Sequence, residues 1–386
     1  MNLFEINNLV CSYDRKHPVL FISELNIPPG EICILFGKSG SGKSTLLEIL
    51  GLMTNTIASS KEPIQTVYHY EDIQLKNDME MSLKFFGRHE KEEPEEITYV
   101  EKKLGDLPAI HENGFMAKAT DWWKFLTHWF NGKNNSVIDI WKNRSKQRKL
   151  QQRLRDEYFA FIFQSTNLMP NFSAEENAAI PEMIDLKTVP CGKNKANCPY
   201  IAYNDKCDLS NEMCAIVHAR QTLDRDLQIP RHKLWEPARS FSGGQQQRIT
   251  FARAHNSHFS VLFGDEPTGN LDNYNSKELM RVIRNLIDNS HDNVIRSAVI
   301  VSHSIDLTLQ FANRIVFIET KQYIDPEDHD KKAIQYYGKI DSSMIYQSDS
   351  SSEDVKKREW KHVGFDLEKS LTNEEMDDIL TKFLRK

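Results

Sequence analysis

The chain has 386 residues, 39% of them hydrophobic and 27% charged, enough apolar material for one large domain or two of ordinary size. A formal net charge of −6, from 49 Lys and Arg against 55 Asp and Glu, argues against a nucleic-acid binder relying on overall positive charge and against an acidic disordered chain. No window reaches the roughly 18 uninterrupted apolar residues of a spanning helix, and Met1 to Ile6 shows no basic stretch leading into an apolar one, so neither a membrane span nor a secretory signal is expected.

Taken in order, Leu3 to Val10, Val19 to Ile27 and Ile32 to Phe36 read as strands, and the last ends in glycines before a helix pattern from Lys43 to Leu52. From Asn55 to Lys149 the composition shifts: an acidic run spans Glu90 to Glu96, and Trp122, Trp123, Phe125, Trp129 and Phe130 cluster, as in an inserted subdomain. Tyr158 to Gln164 resumes as a strand, Ser242 to Ala254 reads as a helix, and Val261 to Phe263 and Ala298 to Ser302 read as buried strands. Short apolar strands alternating with helices predict an α/β core. Past Glu319 the chain turns polar, and the serine- and acid-rich stretch Ser342 to Asp354 reads as a linker. Thr372-Asn373-Glu374-Glu375 forms a capping-box pattern that opens a last amphipathic helix through Leu384. No internal repeat is visible.

Gly37-Lys38-Ser39-Gly40-Ser41-Gly42-Lys43-Ser44 satisfies G-x-x-x-x-G-K-[ST] between a strand and a helix. Glycines let backbone N–H groups converge on a phosphate, and the helix that follows aims its positive end at the same anion. Lys43 is expected on the β- and γ-phosphates, and the Ser44 hydroxyl on Mg²⁺. Downstream, the apolar run Val261 to Phe263 leads through Gly264 into Asp265 and Glu266. A carboxylate pair at that strand end fits a Mg²⁺ ligand in Asp265 and a general base in Glu266. A strand followed by Asp-Glu is ordinarily a solvated turn; the phosphate loop in the same chain reverses that reading.

Phe241-Ser242-Gly243-Gly244-Gln245-Gln246-Gln247-Arg248 resembles the signature motif of ATP-binding cassette (ABC) ATPases, and the chain is identified as a member of that class. The resemblance covers roughly residues 1–54, 150–190 and 220–320. It implies a P-loop NTPase fold, with a RecA-like core, an antiparallel β subdomain and a helical signature subdomain, carrying insertions. It further implies Tyr13 on the adenine, Gln164 near Mg²⁺, Asp272 as the D-loop acid and His303 on the γ-phosphate. Catalysis then falls to Glu266, His303, Gln164 and Lys43, with Ser44, Gln164 and Asp265 around the metal. ATP is expected to lie against Tyr13, Gly37, Ser39, Gly40, Ser41, Gly42, Lys43, Ser44 and Thr45, with Ser242, Gly243, Gly244, Gln245 and Asp272 completing the site. Pro267-Thr268-Gly269-Asn270-Leu271-Asp272 and Phe161-Ile162-Phe163-Gln164 are similar to bacterial lipoprotein-release, macrolide-efflux and cell-division permease ATPases.

In this class the signature motif of one subunit covers the nucleotide held by another. One copy of each motif therefore implies a second cassette, simplest as a homodimer, with a heterodimer as the alternative. It also implies a separate membrane permease and a peripheral place on the cytoplasmic face. No nucleic-acid partner is expected. Two readings of other classes stand beside this one: a soluble ABC ATPase without a permease, and a regulatory module in which ATP closure signals. Repair ATPases of the class carry a long coiled coil, and no sustained heptad run appears here.

The domain division expected is a cassette over 1–320, interrupted by an aromatic-rich insert at 55–149 and a four-cysteine insert at 188–218, then an extension over 321–386 with linker and terminal helix. The insert's aromatics form either a small core of its own or a contact for an accessory protein or membrane surface. Cys191, Cys198, Cys207 and Cys214 follow C-x6-C-x8-C-x6-C. Four thiolates make a complete tetrahedral Zn²⁺ set, although C-x2-C knuckles are missing; two disulfides or unconnected thiols are the alternatives.

Overall fold

The computed structural model describes residues 3–12, 18–53, 80–86, 96–98, 152, 155–156, 158–185, 211–257, 259–288, 295–324, 334–348, 358–363 and 370–385. Strands β1 (Phe4–Ser12) and β2 (Pro18–Ile27) pair antiparallel, with Phe4 opposite Ile27. β3 (Ile32–Gly37), buried at every residue, begins the parallel part of the sheet. A parallel strand covered on both faces has no polar side to expose, so its sequence is continuously apolar. Helix α1 (Lys43–Leu50) follows; it stops two residues short of the expected Leu52 because Gly51 caps it and Leu52 turns left-handed at φ 56°.

β4 (Glu80–Phe86) pairs with the free edge of β1, and β5 (Glu96–Thr98) pairs with β4. Part of the 55–149 segment therefore extends the antiparallel sheet, where the sequence suggested a separate inserted body. Trp122, Trp123, Phe125, Trp129, Phe130 and the acidic run's residues 90–95 lie outside the described residues.

β6 (Phe159–Ile162) precedes three helices, α2 (Ala174–Asp185), α3 (Asn211–Gln221) and α4 (Gly243–His255). α2 packs on both α3 and α4. Ala174, Ala178, Ala179, Ala215 and Ala219, all fully buried, supply the small side chains that let α2 and α3 approach. Arg220 locks the pair with a two-pronged contact to Glu175, Nε to Oε2 at 2.6 Å and Nη2 to Oε1 at 3.0 Å.

β7 (Val261–Asp265), helix α5 (Asn273–Asp288), β8 (Ser297–Val301), helix α6 (Ile305–Phe311) and β9 (Arg314–Ile324) complete the α/β part. Five strands run parallel in the order β9-β3-β8-β7-β6. Ile34 and Phe36 enter the core on one face of the sheet, Cys33 and Leu35 the core on the other, as a period of two requires. This is the α/β P-loop cassette fold that the motifs imply: a parallel core, an antiparallel sheet and a helical layer. Among the described residues no helix is long and apolar enough to cross a membrane.

The last 70 residues depart furthest from expectation. β10 (Ile334–Ile340) lies between β9 and β2, antiparallel to the first and parallel to the second, and so joins the two halves of the sheet. β11 (Ile345–Ser348) pairs with the first residues of β9, and β12 (Glu359–His362) and β13 (Leu371–Thr372) add to it in turn. The linker expected over Ser342 to Asp354 is thus a 3-10 turn and a strand through Ser348; 349–354 lie outside the described residues. Serine-rich composition misled here because β9 supplies the hydrogen bonds and Ile345 fills a core position, with Tyr346 packed against the other cluster. The expected boundary at 320 falls inside β9. Helix α7 (Asn373–Arg385) begins with the anticipated capping box: Thr372 Oγ1 accepts from Glu375 N at 3.2 Å, and Glu375 Oε2 accepts from Thr372 N at 2.8 Å.

β10 also supports the phosphate loop. A methyl group on Gly338 would lie 2.0 Å from the Ser41 carbonyl oxygen and 2.8 Å from Ile318 Cγ2, so only glycine lets the loop rest on this strand. Gly338→Ala is expected to cost about 1–3 kcal/mol and to weaken nucleotide binding by displacing the loop. Thermal unfolding and titration with a fluorescent ATP analogue check this; wild-type affinity in the variant would mean that the loop does not depend on β10.

Candidate active site

The phosphate loop begins where β3 ends. Gly40 at φ 76° and Gly42 at φ 90° take left-handed conformations that a side chain would resist. No side chain caps α1 at Gly42, which leaves its first N–H groups available to an anion. Gly37 is needed for space: a Cβ there would meet Ser41 Oγ at 2.7 Å and the Ile318 carbonyl oxygen at 2.9 Å. Ser39 and Gly40 are exposed, Thr45 is buried, and Ser41 Oγ is buried with no hydrogen-bond partner. An orphaned hydroxyl inside a loop of convergent N–H groups suits a ligand rich in oxygen.

Lys43 folds back across the loop, its Nζ donating to the Gly37 carbonyl at 2.9 Å and the Lys38 carbonyl at 2.6 Å. Burial pulls its pKa down, and the charges of Glu266 and Asp265 oppose that shift. One residue on, the exposed Ser44 donates through Oγ to Asp265 Oδ1 at 3.2 Å, across 221 residues of sequence. A hydroxyl beside a carboxylate at a phosphate loop is a hard-oxygen pair that fits Mg²⁺, which takes few protein ligands and completes its shell with phosphate and water. Burial holds the Asp265 carboxyl above its usual range; the Ser44 hydrogen bond pulls it back, Glu266 adds to the rise, and Lys43 and His303 oppose it.

Glu266 follows β7 in a left-handed conformation at φ 47°, a strain of about 1–3 kcal/mol for a residue with a side chain. Its N–H donates to the Val301 carbonyl at 3.2 Å and its carbonyl accepts from Gly269 N at 3.0 Å, so the turn is fixed from both sides. Glu266 Oε1 lies 2.5 Å from His303 Nε2. His303 sits at the C-terminal end of β8, just before Ser304, which caps α6 by accepting from Leu307 N at 3.3 Å.

The other expected residues occupy two neighbouring elements. Gln164 is exposed just past β6, whose parallel pairing with β7 sets it on the same sheet edge as Asp265. Ser242 caps α4 in a reciprocal capping box, accepting from Gln245 N while the Gln245 side chain accepts from Ser242 N. Gly243 is exposed with open space around it, whereas a Cβ on Gly244 would meet Leu271 Cδ2 at 3.0 Å. Asp272, fully exposed, accepts from Asn275 N at 2.8 Å and Asn275 Nδ2 at 2.6 Å, bonds that hold its carboxyl below the usual range.

Tyr13, Cys191, Cys198 and Cys207 lie outside the described residues. Cys214 is buried on α3, beside Ala215 in the helical core, so the 188–218 segment ends inside a packed helix and is not an insert throughout. Among the described residues no group of three or more His, Cys, Asp or Glu could hold a metal. Cys11 and Cys33 are buried, and burial pushes both thiols up, which leaves them inert. Two residues at the site were missed from sequence. Gly338 sits in a tail without motifs. Glu48 lies one helical turn from Ser44, and its pKa is raised by burial and by Asp265; the four-residue spacing was the available signal.

The sequence profile of the ABC transporter family matches residues 21–157 and 134–269, more than half of the chain. Among curated relatives, the chain is 26% identical over 309 residues to the macrolide export ATP-binding/permease protein MacB of Marinobacter nauticus, covering 79% of this chain and 32% of that protein. The MacB of Shigella flexneri is 30% identical over 325 residues, covering 83% and 34%. The chain spans about a third of the length of the curated relatives it matches. Among solved structures, the dimeric bacterial ABC transporter cassette MJ0796 aligns at 20% identity with a TM-score of 0.47, covering 81% of this chain and 93% of that one. CbiO1 of Clostridium perfringens, part of the cbiONQ transporter complex, aligns at 17% with a TM-score of 0.47, covering 82% and 84%. With its phosphate loop, carboxylate pair and signature helix, the chain belongs to the ABC transporter family as an ATPase cassette.

Proposed function

We propose that the chain binds Mg·ATP at the loop of residues 37–45 and hydrolyses it as one half of a two-site dimer that drives a separate membrane permease. The observation that carries this reading is the meeting of Ser44 with Asp265, and of Glu266 with His303, at the mouth of that loop. Ser44, Asp265 and Gln164 are the residues to hold Mg²⁺. The ion would neutralise phosphate charge during transfer.

Lys43 is held by two carbonyls that a phosphate outcompetes, since an ammonium binds an anion more strongly than a neutral acceptor. Glu266 is set to accept a proton from water as the water oxygen bonds to the γ-phosphorus and the bond from that phosphorus to the bridging oxygen breaks. His303 orients Glu266 in the apo protein through its Nε2 contact, and with nucleotide bound the same N–H can turn to the transferred phosphoryl group.

The signature helix supports the dimer. Ser242 uses its lone pair to cap α4, so its hydroxyl hydrogen is available to a phosphate held by another subunit. Gly243 and Gly244 add first-turn N–H groups of a 13-residue helix. The simplest partner is a second copy of this chain.

Coupling to a permease rests on an exposed apolar patch. Residues 170–175 run beside 234–239, with Ala238 N donating to the Phe172 carbonyl at 2.8 Å and Glu175 N to the Leu234 carbonyl at 3.1 Å. On these two paired segments and just before them, Met169, Phe172 and Trp235 are 46%, 45% and 63% exposed, and Met169 and Phe172 lie a few residues past Gln164. A contiguous exposed apolar patch marks an interaction site. In this reading the permease is another polypeptide, on whose cytoplasmic face this chain sits.

Three outcomes test the proposal. Glu266→Gln is expected to keep ATP affinity and lose turnover roughly 10²–10⁴-fold, read by single-turnover hydrolysis beside nucleotide binding. A tagged wild-type chain purified from membranes should bring down a multi-span protein that Trp235→Glu loses; recovery of the chain alone, with normal ATPase activity, would sink the permease reading. Because burial raises the folded pKa of Asp265, the apo protein carries a cost that grows with pH over the window from the ordinary aspartate pKa up to the raised one. Asp265→Asn should therefore flatten the melting temperature of the apo protein over that window while abolishing stabilisation by Mg·ATP; thermal melts with and without Mg·ATP read both.

A further inference from the structure

His303 is two residues from the start of α6, so the orientation of α6 fixes where the imidazole reaches. Seven residues are too few for a helix to hold its own geometry, and what grips α6 from outside decides it. At the start, Lys277 of α5 pairs with Asp306 at 2.7 Å across an exposed surface. The end is held more closely. Arg284 of α5 donates to the Phe311 carbonyl, and to Asn313 Oδ1 at 2.8 Å. Arg358, just ahead of β12, donates through Nη1 to the Ala312 carbonyl at 3.3 Å, and Ser348 at the end of β11 donates to the same oxygen at 3.2 Å.

The flank of α6 is covered by the same part of the chain. α7 packs along it, with Met376 and Leu380 fully buried in the core cluster that holds Leu307 and Phe311. The Phe383 ring stands edge-on to Phe317 at 4.7 Å, and Trp360, fully buried, ties α7 to β12 through Nε1 and Asn373 Oδ1 at 2.7 Å.

We infer that β11, residues 358–363, β13 and α7 form a brace that positions His303 through α6, with Arg358 as its positioning residue at the helix end. The inference rests on the catalytic role proposed above for His303. Two guanidinium groups converge on the last carbonyls of α6, where cations are favourable. The arrangement is poor for stability alone. Burial pulls the Arg358 pKa down, neighbouring Arg284 adds to the shift, and Arg358 Nε is buried without a partner. An apolar side chain would avoid those costs but could not hold the Ala312 carbonyl. The brace thus specifies where α6 ends, and through its fixed length where His303 begins.

Steady-state ATPase kinetics on full-length Arg358→Met, Arg358→Lys, His303→Ala and the double variant Arg358→Met/His303→Ala test this, with thermal unfolding alongside. Arg358→Met is expected to lower kcat roughly tenfold with KM for ATP within about twofold. Arg358→Lys should recover most of the loss, because an ammonium can still reach the carbonyl. In the His303→Ala background, Arg358→Met should leave kcat where it was, since the group it positions is gone. Losses that multiply in the double variant, or a lower melting temperature with wild-type kcat, would overturn the brace while leaving the role of His303 intact. A His303→Ala protein with wild-type kcat would instead defeat the catalytic reading, and the brace with it. Should Arg358→Met not fold, Phe383→Leu loosens the same flank and enters the same cycle.

Discussion

The pairing of Val301 holds the site together. It lies opposite Leu35 of β3 and opposite Asp265 of β7, both in parallel register, and its carbonyl accepts the Glu266 N–H. Gly37 is two residues beyond Leu35, His303 two beyond Val301, and Glu266 one beyond Asp265. One register therefore delivers the start of the phosphate loop, the carboxylate pair and the histidine to one edge of the sheet. A slip of a single residue would turn every one of these side chains to the opposite face. The buried, continuously apolar strands guard against it, because Phe36, Phe263 and Ile300 each fill a fixed place in the core. The ligands' geometry is thus set by side chains that touch no ligand.

The same edge concentrates unfavourable terms. Lys43 is a buried cation satisfied by carbonyls, Asp265 is a carboxyl lifted by burial, Ser41 Oγ has no partner, and Glu266 carries a strained backbone. Groups this poorly satisfied in the apo protein are what a polyanion with its metal would complete. The scaffold tolerates them because two hydrophobic clusters, one on each face of the sheet, lie directly beneath.

The parts of this arrangement that were legible in sequence are the ones whose physics is local. A glycine-spaced loop, a strand ending in two acids and the Thr372–Glu375 capping box each require residues close in sequence, so the spacing carries the information. The tail was not legible, because β10 and β11 owe their conformation to β2 and β9, hundreds of residues away or on the far side of a hairpin. Gly338 shows the difficulty most plainly. Nothing around it in sequence says that the Ser41 carbonyl lies where its Cβ would be. Of the four symmetrically spaced cysteines only Cys214 is described, and its neighbours Ala215 and Ala219 are helix-core residues, which the spacing did not foretell. Helix α5 was overlooked although Leu279, Met280, Ile283 and Ile287 mark one helical face, because the motifs before it drew the reading to the loop.

The helical layer adds a connection between the exposed apolar patch and the signature. Arg253 of α4 donates to the Asn167 carbonyl at 2.8 Å and the Thr166 carbonyl at 3.3 Å, and Thr250 Oγ1 donates to Thr166 as well at 3.0 Å. The stretch from Gln164 to Phe172 is therefore clamped to the helix whose first residues are Gly243 and Gly244. Asn177 of α2 closes the loop from the other side, bonding Met169 through both backbone groups at 2.8 and 3.0 Å. A force on Phe172 or Trp235 cannot shift that stretch without moving α4, since five hydrogen bonds to two helices would have to break together. Movement of α4 is movement of Ser242, the residue proposed to reach the second nucleotide. Physical continuity of this kind is one route by which a permease and a nucleotide site can bias one another. The stretch beside Gln164 is thereby joined both to β6 on the metal side of the site and to α4 on the signature side.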